Sequence, residues 1–153
     1  MKIHFRLAWI HSGAAGQRAF KSKAVQSLFL DYTQRISKFA ACYTTGIKGR
    51  TEARTAGIKV WLCDRGPDAR MLSSEELAAR LGKCRDSGTR ELQIVIGGPG
   101  GFSKKELGDW KPDLKWSFGP LTLPHELAAG VAGEQIYRAF TLLHRLPYHL
   151  GHS

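Results

Sequence analysis

The sequence has too few cysteines, too widely spaced, to be held together by disulfides or by a zinc knuckle. Cys42, Cys63 and Cys84 are odd in number and form no CxxC pair. They are expected to be small, buried or half-buried side chains. Long apolar runs are absent too: nothing approaches the roughly 20 residues that a membrane helix requires. The opening MKIHFRLAWIHSG alternates in polarity, where a signal peptide would present a continuous apolar core. Together these absences lead to the expectation of a cytoplasmic protein with no membrane segment. Negative charge is scarce, with 13 Asp and Glu against 23 Lys and Arg, a formal net charge of +10. Such an excess draws a protein toward polyanions and speeds its encounters with them. Charge alone does not separate a nucleic-acid binder from a basic protein with another task. The cations are spread along the chain, with many between Lys21 and Lys115 and no basic tail, so a folded cationic face is expected rather than a flexible arm.

At 153 residues the chain is long enough for one domain that buries about 70% of its unfolded surface. No repeat, linker or low-complexity tract divides it, and a single domain over 1–153 is expected. Ile3, Phe5, Leu7 and Trp9 alternate, as in a half-buried strand over 2–10. Ser12 to Gly16 reads as a small-residue loop. Apolar positions from Phe20 to Phe39 recur at helical spacing, predicting a helix from about Gln17 to Phe39. Thr44 to Gly57 is polar and basic, a loop or a poorly specified element. IKVWLCD, 58–64, is a short apolar strand ending in the turn Arg65-Gly66-Pro67. Ser73 and Glu76 have capping-box spacing and open a helix to about Arg85. LQIVIGG, 92–98, is a continuous apolar run, as expected of a strand covered on both faces. A helix over 103–110, a short strand over 115–118 and a helix over 125–143 complete the pattern. Strands alternating with helices predict an α/β domain with a mostly parallel sheet.

Three segments carry chemical information. In IVIGGPGGFS, 94–103, a buried strand runs into a glycine-rich turn and then a helix. Ligands of open α/β sheets bind at such carboxyl edges, where glycine lets backbone approach them closely. The turn lacks the GK[ST] of a phosphate loop and the third glycine of the dinucleotide fingerprint, so alone it is as compatible with structure as with binding. SFGPLTLPH, 117–125, is an apolar loop where a surface loop would be polar, and is expected to be covered by the fold or by a ligand. The tail PYHLGHS places an aromatic ring and two histidines at the chain's end, where a frayed segment is the default. A metal site from His144, His149 and His152 lacks an acidic or thiol ligand nearby in sequence, and no metal is expected.

In this order and spacing, the segments resemble the ribosomal RNA large-subunit methyltransferase H family, of the SPOUT class of α/β-knot methyltransferases. The resemblance covers about residues 58–149 and rests on IKVWLCDRG, SSEELAARL, IVIGGPGGFS, WSFGPLTLPHE and EQIYRAFTLLHRLPYH. SLFLDYTQRISKF also looks like the family's first helix. The resemblance implies a SPOUT-type α/β knot with helices on both faces of the sheet, a deep C-terminal trefoil knot and a homodimer. It also implies S-adenosylmethionine as cofactor and large-subunit rRNA within the ribosome as substrate, methylated at N3 of a pseudouridine. Carried over by motif, the cofactor-binding positions are Leu62, Gly97, Phe118, Gly119, Pro120, Leu121, Thr122 and Leu123. Tyr148 and His149 map to the methyl-transfer centre.

The residues are consistent with that chemistry. Methyl transfer from a sulfonium depends mainly on aligning nucleophile and methyl group. Glycine-rich and apolar loops can hold a nucleoside through backbone groups. A uracil-type N3 must shed a proton, and imidazole is the side chain that titrates nearest neutral pH. His149 is therefore read either as the proton acceptor or as an RNA-contacting or solvated residue. Ala129 stands where family members typically carry Arg, Gly100 where they carry Glu, and Leu150 where a basic residue follows Tyr-His. Gly130 and Gly133 should each weaken their helix by up to ~1 kcal/mol relative to Ala. The Ala129 and Leu150 departures motivate a second reading, a non-catalytic ribosome-binding factor of the same fold.

Overall fold

The structure is a computed structural model and describes residues 1–11, 19–47 and 55–150. The expected loop from Ser12 to Gly16, the helix start at Gln17, the centre of the 44–57 stretch and His152 lie outside the described residues. The elements in chain order are β1 (Lys2–Leu7), α1 (Lys23–Ile36), β2 (Cys42–Gly46), β3 (Ile58–Cys63), β4 (Arg70–Met71), α2 (Ser74–Asp86), β5 (Glu91–Ile96), α3 (Lys104–Trp110), β6 (Leu114–Ser117) and α4 (His125–Leu143). The six strands form one sheet in the order β2-β1-β5-β3-β6-β4, and every pairing is parallel. A parallel pair needs a crossover connection, which is why helices alternate with strands in the sequence.

The two faces of the sheet carry unequal loads. Ile3, Phe5 and Leu7 of β1, Trp61 of β3, and Leu92, Ile94 and Ile96 of β5 share the main core with α1, α2 and α4. The opposite face has a smaller cluster, in which Val60, Leu62 and Val95 pack with Trp110 of α3. α4 is apolar on most of its circumference because it packs on both α1 and α2. Its Gly130 and Gly133 lie against Leu28 and Tyr32 of α1, so the two glycines lie at a helix–helix contact. Ala129 is fully buried, and a cationic side chain there would have to enter the core.

Three expectations need correction. β1 is not half-buried: its second face carries His4 and Arg6, both buried. His4 hydrogen-bonds Thr45 at 2.6 Å and Glu91 at 3.3 Å, while Arg6 donates to the Gly46 carbonyl at 3.1 and 3.2 Å. These partners let polar side chains occupy an interior strand. Part of the supposed loop, Thr44–Gly46, belongs to the edge strand β2, whose Thr and Tyr suit a pleated surface although its polarity hides it. The first helix is also shorter than its periodicity suggests. It starts after Ser22, whose hydroxyl accepts the Val25 N–H at 3.2 Å. Phe39 lies beyond its end and stacks on Phe140 of α4, with ring centroids 5.4 Å apart. The two-residue strand β4 left no periodic trace.

The Ser73/Glu76 capping box is present at α2, and Ser103 with Glu106 forms a second one at α3. Among the described residues no helix is long and apolar enough to cross a membrane. With all strands parallel, β3, β5 and β6 end at one edge and deliver three loops there.

Candidate functional site

Those three loops enclose a cavity of about 660 Å³. Of the residues singled out in the sequence, Gly97, Phe118, Gly119, Leu121, Thr122 and Leu123 line it. The glycine turn and the apolar loop are thus brought together around one space. The turn is tight: Gly101 donates its N–H to the Gly98 carbonyl at 2.9 Å, and its φ of 70° lies in the left-handed region. At Gly97 a Cβ would stand 3.0 Å from the Phe102 ring, so the ring covers bare backbone there. Leu121 is 72% exposed, so the fold leaves the apolar loop uncovered at that point.

Two of the expected cofactor contacts stand off the cavity wall. Leu62 is fully buried in the smaller core cluster on the far face of the sheet; its successors Cys63 and Asp64 line the cavity instead. Pro120 is exposed between lining neighbours. Burial, and then the neighbouring Asp64 charge, push the Cys63 thiol well up, which keeps it from acting as a thiolate.

The sequence reading passed over Asp64 and Arg65. Asp64 follows β3, with its N–H held by the Trp116 carbonyl of β6 at 3.0 Å. Its Oδ1 accepts the Arg65 N–H at 2.8 Å. Arg65 donates from Nη1 to the Thr122 hydroxyl at 2.6 Å, linking two walls of the cavity. The rule that drew attention to the end of β5 applies equally to the end of β3, and would have found them.

Tyr148 and His149 are not in the cavity wall. They are fastened to α4 and α2 by a chain of polar contacts. The Tyr148 hydroxyl donates to Glu134 Oε2 at 2.7 Å and lies 3.2 Å from the Tyr32 hydroxyl of α1. Burial and those two partners push the phenol far above its ordinary pKa, so it stays protonated. Arg138 is bound to Glu134, with Nη2 at 2.7 Å and Nε at 3.3 Å. His149 Nδ1 lies 2.9 Å from Arg138 Nη1, and its Nε2 lies 2.7 Å from Glu75 Oε1. Glu75 is held below the usual carboxylate range, first by its own backbone N–H and then by His149. Glu134, Arg138 and Glu75 were not legible as tail partners, because only the fold places α2 beside the end of α4. His144 packs on the Phe39 ring with centroids 4.8 Å apart, and among the described residues no group of three or more His, Cys, Asp or Glu could hold a metal ion.

Residues 58–149 match the family model described as Predicted SPOUT methyltransferase. A protein of Koribacter versatilis named Ribosomal RNA large subunit methyltransferase H is 40% identical over 142 residues, covering 86% of this chain and 92% of that protein. A protein of the same name from Stenotrophomonas maltophilia strain R551-3 is 51% identical over 80 residues, 52% of this chain and 49% of that one. Among solved structures, a Legionella pneumophila methyltransferase in complex with SAM matches with a TM-score of 0.45 at 17% identity, covering 92% of this chain and 66% of that chain.

Proposed function

Because the chain belongs to the ribosomal RNA large subunit methyltransferase H family of SPOUT methyltransferases, we propose that it transfers a methyl group from S-adenosylmethionine to large-subunit ribosomal RNA, at N3 of a pseudouridine on the assembled ribosome. The observation that carries this reading is the cavity itself, where the glycine turn and the apolar loop meet at the carboxyl edge of a parallel sheet. Its volume of about 660 Å³ falls in the usual small-ligand range of roughly 300–1,000 Å³. The residues fit the cofactor: Gly97, Gly98 and Gly119 expose backbone polar groups, while Trp116 and Phe118, rings 4.8 Å apart, supply apolar wall.

When bound, the cofactor supplies an electrophilic methyl group on a sulfonium. The turn 97–101 and the loop 118–123 bind and orient it through backbone groups, and their apolar side chains keep water away. Leu62 contributes from behind the wall by fixing the end of β3. Tyr148, its hydroxyl held by Glu134, can stack its ring on a base, and the +10 chain attracts the RNA backbone. His149 can take a proton on Nδ1 only after the Arg138 N–H that points at it has turned away. A homodimer, a threaded C-terminal chain, a single domain over 1–153 and a cytoplasmic location complete the proposal.

The test pairs calorimetry with mass spectrometry. S-adenosylmethionine should bind the purified protein, and ribosomal RNA from cells lacking the gene should lose one methyl mark on a pseudouridine. An absence of binding removes the enzymatic reading, whereas binding without a lost mark leaves a cofactor-binding protein with a different substrate.

A further inference from the structure

Asp64 is the only carboxylate and Arg65 the only guanidinium among the residues that line the cavity. They are adjacent in sequence and both are fixed in place. The Asp64 backbone is tied to β6, and its Oδ1 is taken by the Arg65 N–H. Among the described residues nothing hydrogen-bonds to Oδ2. A Cβ at position 66 would stand 2.9 Å from that oxygen, so Gly66 gives the carboxylate the room it occupies. Arg65 spends one of its five N–H donors on Thr122 at 2.6 Å, which leaves the rest of a planar fork at the cavity wall. An acceptor-only group beside a donor-only group is complementary to a zwitterion, in which an ammonium and a carboxylate sit on one carbon.

We propose that Asp64 and Arg65 form the subsite for the amino-acid end of the cofactor, with Asp64 taking the α-ammonium and Arg65 the α-carboxylate. The inference rests on the cofactor reading above and adds to it a division of labour. Glycine and apolar loops hold the nucleoside, and the charged pair at the end of β3 holds the methionyl end. A neutral ribose hydroxyl would need the acceptor but not the guanidinium, and a sulfonium would need neither a fork nor a neighbouring donor.

Three ligands separate these possibilities in binding calorimetry. S-adenosylmethionine carries the zwitterion and the sulfonium, S-adenosylhomocysteine the zwitterion alone, and methylthioadenosine neither. Asp64→Asn and Arg65→Gln should each weaken the first two ligands by about tenfold, the range expected for loss of one charge-assisted hydrogen bond. Each should leave methylthioadenosine binding unchanged, which also shows that the cavity is intact. A loss confined to S-adenosylmethionine would mean that Asp64 reads the sulfonium. Equal losses for all three ligands would make the pair part of the wall, and no loss would make it a bystander; each result overturns the assignment. If the parent protein binds none of the three, the cofactor reading fails and this inference with it. If the parent binds all three and the variants behave as the parent does, only this inference fails.

Discussion

Arg138 points Nη1 at Nδ1 of His149 across 2.9 Å. A guanidinium only donates, so Nδ1 must accept, and the ring proton of a neutral His149 then sits on Nε2. That nitrogen faces Glu75 Oε1 at 2.7 Å, an acceptor, so both contacts select the same tautomer. The guanidinium also lies over the Tyr148 ring, 4.8 Å from its centroid. One residue of α4 therefore orients both members of the Tyr-His tail, and its own position is set by Glu134 one turn earlier.

If His149 is the proton acceptor, His149→Ala should slow methyl transfer by roughly 10²-fold while cofactor affinity stays unchanged. Arg138→Gln should alter the pH profile of turnover as well as its rate, because it removes the cationic donor that faces Nδ1. Single-turnover kinetics across pH measure both effects. Unchanged turnover in His149→Ala would assign the residue to a bystander role.

Gly97→Val should reduce S-adenosylmethionine affinity by tenfold or more. Its Cβ would stand 3.0 Å from Phe102, forcing the ring to shift and placing methyl groups where backbone now faces the cavity. Calorimetry beside a thermal melt reads the effect. A folded variant that binds as tightly as the parent would remove this turn from the binding site.

Gly133→Ala should stabilise the protein by about 0.5–1 kcal/mol, the helix-interior difference between the two residues. The added methyl group would meet Tyr32 Cβ at 3.5 Å and Phe29 Cδ1 at 3.6 Å, which are ordinary van der Waals distances. A fall in the denaturant midpoint would show that α1 and α4 need a closer approach than a Cβ permits.

Glu91 sets an acid-side prediction. Burial works against its ionised form, but hydrogen bonds from Tyr43, Gln93 and His4 outweigh that, and the carboxyl is held below its ordinary value of 4.5. A group depressed in the folded state adds stability above its unfolded pKa and loses it as pH falls through the folded pKa. Glu91→Gln should therefore weaken the protein near neutral pH and flatten its acid-side loss of stability. Urea titrations from about pH 3 to pH 7 would show both changes; curves that stay parallel for variant and parent would contradict this role.

Much of the architecture was legible because burial leaves a period. α4 was readable to its ends, since apolar residues recur from His125 to Leu143 and Pro124 precedes it. The strands β3 and β5 were readable because both are short apolar runs stopped by turns. β2 was not, because Cys42–Gly46 is an edge strand whose partners are backbone groups of β1. β4 was too short to carry a pattern. The buried His4 and Arg6 ran against the rule that alternation means one wet face; their hydrogen-bond partners come from β2 and β5, strands distant in sequence.

By itself the sequence determined which residues are flexible enough, apolar enough or charged enough to be used: the glycines of 97–101, the apolar loop of 117–125, the Tyr-His tail and the cationic excess. Those are local properties, set by side-chain volume, backbone freedom and charge. Tertiary structure alone decided which of them meet. The parallel order of the strands puts the ends of β3, β5 and β6 on one edge, so Cys63, Asp64 and Arg65 join the cavity, while the Leu62 side chain is buried in the cluster on the far face of the sheet. The packing of α2 against α4 brings Glu75 to His149 across 74 residues. Such contacts between distant segments exist only after the chain has closed on its core, and no local pattern records them.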